Sequence, residues 1–78
     1  MSLPEIIGLG GVALMLTAYA GISTGKLSNA SPWMHGLNLA GALMVLYSLL
    51  FAFNLPAFCV EVAWAGIAAF GLWKALAR

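Results

Sequence analysis

The sequence predicts an all-α polytopic membrane protein with three transmembrane helices, and three observations point there. No charged side chain occurs from Ile6 to Gly25, and none from Leu27 to Val60 when His35 is counted neutral. Hydrophobic residues make up 64% of the chain and charged residues 6%, against roughly 45–50% and ~25% in an ordinary soluble domain. Two short turn-forming segments, Ser23–Ala30 and Asn54–Pro56, divide the apolar stretches into three. A run of about 20 such residues, rising ~1.5 Å each, crosses the ~30 Å hydrocarbon layer of a bilayer.

The first helix is predicted over about residues 5–22. Pro4 suits a first helical turn and Glu5 favours the positive end of the helix dipole. The small, polar run Ser23-Thr24-Gly25-Lys26-Leu27-Ser28-Asn29-Ala30 reads as the first loop. Ser31 before Pro32 reads as an N-cap with proline at the first helical position, opening a second helix over about 33–53. Asn54-Leu55-Pro56 breaks that helix, because Pro56 cannot continue its hydrogen-bond ladder, and a third helix follows over about 56–74. The 78 residues form one domain, too short for a deep soluble core but sufficient in lipid, where each helix satisfies its own backbone.

Three spans place the N-terminus and second loop on one side and the first loop and C-terminus on the other. All the basic side chains, Lys26, Lys74 and Arg78, fall on the second side, so the positive-inside rule puts the C-terminus in and the N-terminus out. Met1 to Glu5 lacks the Lys/Arg region of a secretory signal, so the first helix is expected to be retained. Trp33 and Trp73 sit at the cytoplasmic edge, where indole rings favour headgroups, whereas Trp64 lies near mid-membrane. The net charge of +1 offers nucleic acid no basic patch, and the single Cys59 forms no internal disulfide or metal pair.

At ~100° per residue, Gly11, Leu14, Ala18, Gly21 and Gly25 share one band of the first helix, and Asn38, Gly41, Val45, Ser48 and Ala52 share one of the second. Ala65, Ala68 and Ala69 lie on and beside the Glu61 face of the third. Small residues let helices approach closely in lipid, so Gly11, Ala18, Gly21 and Gly41 are the expected packing positions. Lining of a conduit is the other use of such bands.

Glu61 lies some five residues, about 7–8 Å, below the outer surface, and shortening the third helix to exclude it leaves too few residues to span. An intramembrane carboxyl group is costly and marks a candidate site. Tyr47 and Ser48, at the same depth on the second helix, are its expected donors if it is structural; binding of a proton, cation or polar ligand is the other use. Asn38, about five residues in from the opposite side and level with Thr17 and Ala18, needs an interhelical hydrogen bond. His35 reads as an interfacial anchor, with no second ligand at metal spacing. Tyr19, Tyr47, Trp64 and the phenylalanines read first as packing or lipid-facing surface, with quinone, pigment or lipid contacts in a larger complex as the other use. No nucleophile–base pair, phosphate loop or metal cluster is apparent, so no catalysis, metal or cofactor is expected.

Two resemblances bear on function. A Gly-containing first helix, a Thr/Gly/Ser loop, a second helix carrying Tyr47-Ser48, a Pro56-led third helix and a basic end together resemble the SemiSWEET half-transporters. That resemblance implies a homodimer enclosing a small-molecule site between two copies, with Glu61 near the family's substrate-binding position. Leu16-Thr17-Ala18-Tyr19-Ala20 departs from it where the family has a Pro-Gln hinge. The run Leu37-Asn38-Leu39-Ala40-Gly41-Ala42 is similar to one in small three-helix bacterial inner-membrane proteins of unassigned function. The expected role is therefore a non-catalytic accessory or scaffold subunit of a larger bioenergetic or transport complex, with the half-transporter as the alternative. Candidate binding residues are Glu61, Asn38, Tyr47, Ser48 and Trp64.

Overall fold

The computed structural model describes residues 1–27 and 31–77. The Ser28-Asn29-Ala30 part of the expected loop, and Arg78, lie outside the described residues. The chain forms three helices, α1 (Leu3–Ser23), α2 (Pro32–Leu49) and α3 (Leu55–Ala77). Of these, α1 and α3, with 21 and 23 residues, are long and apolar enough to cross a membrane. The 18-residue α2 is not among them, because Pro32, Trp33, His35 and Asn38 crowd its first two turns.

Local chemistry fixes each helix end. At the start of α1, Ser2 and Glu5 close a capping box: the Ser2 hydroxyl accepts from the Glu5 N–H at 3.3 Å, and Glu5 Oε1 accepts from the Ser2 N–H at 3.1 Å. At its other end Gly25 takes φ 79°, a conformation cheap only for glycine. The Gly25 N–H then reaches the Ile22 carbonyl at 3.1 Å and the Lys26 N–H reaches that of Gly21 at 2.8 Å, a Schellman termination.

The second helix opens as its Ser31-Pro32 pair implies, although the Ser31 side chain makes no capping bond. It ends at Leu49, four residues short of the expected Phe53. The Leu50 and Phe51 N–H groups bond carbonyls three residues back, at 3.1 Å each, which tightens and stops the helix. Residues 50–54 are then free to reverse the chain, and Asn54 caps α3 by accepting from the Ala57 N–H at 3.0 Å on its side chain. Ala52, placed in the α2 band on sequence, therefore lies beyond the helix.

The helices run antiparallel in order, and α2 is the shared partner: α1 and α3 each pack on it, and no described Cα of α1 comes within 8 Å of one in α3. The body measures 37 × 21 × 18 Å. Its interior is made of small groups, with Gly8, Gly11, Ala18, Gly41, Ala42 and Ala68 buried beside the larger Met34. Large apolar side chains such as Leu9, Leu16, Tyr19, Leu43, Ile67 and Phe70 point outward. This is the inverse of a soluble core.

Candidate polar seam between the helices

The α1–α2 contact is built on missing side chains. A Cβ at Gly11 would stand 2.5 Å from the Gly41 carbonyl oxygen, and one at Gly41 would stand 2.6 Å from that of Gly11. Backbone thus meets backbone, which raises the dispersion contact between the two helices. One turn away, a Cβ at Gly8 would lie 2.7 Å from Ser48 Oγ, so the Ser48 hydroxyl rests in the space that Gly8 leaves. Ala18 is fully buried. Gly21 is different: its close neighbour is the Leu27 side chain, 2.5 Å from a Cβ built there. Gly21 therefore serves the folding-back of its own loop, and Gly25 the helix termination.

The α2–α3 seam carries the polar side chains. Trp64 Nε1 donates to Asn38 Oδ1 at 3.2 Å, while Asn38 Nδ2 donates to the Met34 carbonyl at 3.2 Å and contacts Met34 Sδ at 3.1 Å. Asn38 thus finds its interhelical partner on α3 and not at the Thr17 level of α1. Thr17 turns inward on its own helix, donating to the Ala13 carbonyl at 2.7 Å. The same bond supplies the Trp64 indole N–H with its acceptor. Nearer the C-terminus of α3, the His35 ring lies against Gly71, its Nδ1 and Cε1 each 2.5 Å from a Cβ built there.

Glu61 is half-buried on α3, three residues from Trp64 toward the Asn54 end. Its Oε1 is buried without a hydrogen-bond partner. The bond expected from Tyr47 or Ser48 is not formed: Ser48 faces Gly8 on α1, and Tyr47 is exposed with its ring edge against Phe51, centroids 5.3 Å apart. Asn38 and Trp64 are therefore joined, whereas Glu61, Tyr47 and Ser48 are not brought into one site. Cys59 is exposed. Among the described residues no three His, Cys, Asp or Glu side chains gather to hold a metal.

Sequence reading missed two features with legible signals. Ser2-Leu3-Pro4-Glu5 is the Ser-x-x-Glu pattern of a capping box. The pairing of Trp64 with Asn38 needs the α2–α3 register, yet a mid-helix indole is itself a sign that an acceptor is near.

A protein-family model matches residues 4–78, nearly the whole chain. The chain belongs to that uncharacterised family. No curated protein and no solved structure matches it, so the half-transporter resemblance has no counterpart among them. Membership of the family is consistent with the likeness to small proteins of unassigned function.

Proposed function

We propose that the chain is a three-span integral protein of a bacterial inner membrane, N-terminus out and C-terminus in, serving as a non-catalytic accessory subunit of a larger membrane assembly. Support for the membrane comes from α1 and α3, long and apolar enough to span, and from an interior of small residues under a large apolar exterior. At ~1.5 Å per residue α2 reaches about 27 Å, nearly the hydrocarbon thickness. Its lower apolarity has a local cause: Asn38, His35 and Ser48 meet Trp64, Gly71 and Gly8 at helix seams. Lys26 and Lys74 lie at one end of the bundle, the cytoplasmic end by the positive-inside rule.

The accessory role rests on Glu61. An intramembrane carboxyl group whose Oε1 is buried without a partner carries an uncompensated desolvation cost. No hydrogen bond holds that oxygen where it is, so rotating the side chain toward a donor on a neighbouring protein gains a bond and relieves the cost. The separation of α1 from α3 leaves apolar helix faces for such a neighbour.

Gentle detergent extraction, followed by sizing and mass spectrometry of whatever comigrates, tests this reading. The wild type is expected with a larger membrane protein, Glu61→Gln with it too, and Glu61→Leu released while still in the membrane. A free homodimer with pH-dependent uptake in proteoliposomes, abolished by Glu61→Gln, would replace the accessory role with that of a half-transporter.

A further inference from the structure

Between α1 and α2, at the Glu5 end, an open groove of about 310 Å³ is lined by Glu5, Gly8, Leu9, Val12, Val45 and Ser48. We propose that it holds one phospholipid with a primary-ammonium headgroup, the acyl chain along the groove and the ammonium at Glu5. The proposal rests on the membrane location above.

Gly8 and Ser48, packed against each other, form the shallow floor of the groove, and Leu9, Val12 and Val45 wall it. From Glu5 to Val12 it follows α1 for seven residues, about 10 Å, the length of several methylenes. A groove of 310 Å³ over that length admits a side chain or an acyl chain but not the body of a helix, about 10–12 Å across. A single hydrocarbon chain fits.

Charge selects the headgroup. Glu5 is the charged side chain of this lining, and its Oε1 is occupied by the Ser2 N–H and hydroxyl, each at 3.1 Å. The second carboxylate oxygen takes no hydrogen bond among the described residues, and the cations Lys26 and Lys74 stand at the far end of the bundle. An open apolar groove with an exposed carboxylate at one end favours an amphiphile whose head carries a cationic hydrogen-bond donor. A primary ammonium meets both demands; a quaternary ammonium brings charge without a donor, and a glycerol headgroup brings donors without the charge.

The test incorporates the chain into nanodiscs of equimolar phosphatidylethanolamine, phosphatidylcholine and phosphatidylglycerol with matched acyl chains, and reads retained lipid by native mass spectrometry after mild extraction. The ethanolamine lipid is expected at one per chain, in about fivefold excess over the others. Glu5→Gln should abolish the preference while leaving lipid bound. Val12→Trp, which fills the groove from an exposed position, should lower retention of all three lipids, and Leu16→Trp, exposed outside the groove, should not. Equal retention of the three headgroups by the wild type, or Val12→Trp behaving as Leu16→Trp does, overturns the lipid site. Failure of the wild type to enter nanodiscs at all overturns the membrane reading instead.

Discussion

Gly11 and Gly41 face each other so closely that a Cβ on either would stand 2.5–2.6 Å from the other's carbonyl oxygen. The neighbours to be displaced are backbone atoms, which cannot swing aside as a flexible side chain does. Both partners of the α1–α2 contact are therefore restricted to glycine by space, at ordinary negative φ.

Gly41→Leu should push α1 from α2 and destabilise the bundle by about 1–3 kcal/mol or more, in the range of overpacked cores. Leu50→Ile, in the exposed segment after α2, should change stability by less than about 0.5 kcal/mol. Unfolding titrations in mixed detergent compare the two, and equal tolerance of both would dismiss the glycine contact as a stabilising feature.

The Trp64–Asn38 bond joins α2 to α3 across 26 residues of sequence. Interhelical hydrogen bonds in membranes average about 0.6 kcal/mol and reach about 1.7. A double-mutant cycle with Trp64→Phe and Asn38→Leu should give a coupling energy in that range. Strictly additive losses would mean that the bond contributes nothing to the seam.

Gly25, at φ 79°, has no neighbour within 4 Å of a Cβ built on it. Gly25→Ala is therefore a test of backbone conformation alone, and its expected cost is about 1–2 kcal/mol. A stability unchanged from wild type would show that the loop relaxes out of the left-handed conformation without loss.

Membrane orientation has its own test, motivated by the basic residues at one end. In a Cys59→Ser background, a cysteine replacing Asn54 should react with an impermeant thiol reagent from outside, and a reporter fused after Arg78 should be active in the cytoplasm. The reverse labelling pattern would invert the proposed topology and place Glu61 near the cytoplasmic surface.

The sequence by itself determined that the chain is helical, where its helices begin, and which residues are too polar or too small to be accidental. Those properties are local: apolar runs bounded by proline, glycine and short polar residues set the helix limits within a few positions, with the α2 terminus at Leu49 the clearest departure. The sequence could not show that Phe51 and Phe53 belong to the reversal, since their apolarity suits helix and turn alike. Only the tertiary structure decided partners, because these depend on register and on which helix each face meets. It joined Asn38 to Trp64, set Ser48 against Gly8 instead of beside Glu61, gave Gly21 to Leu27, and kept α1 and α3 apart. A helical period of ~3.6 residues assigns a face to each side chain; the choice of neighbour for that face is settled by the close approach that glycine and alanine permit at one register.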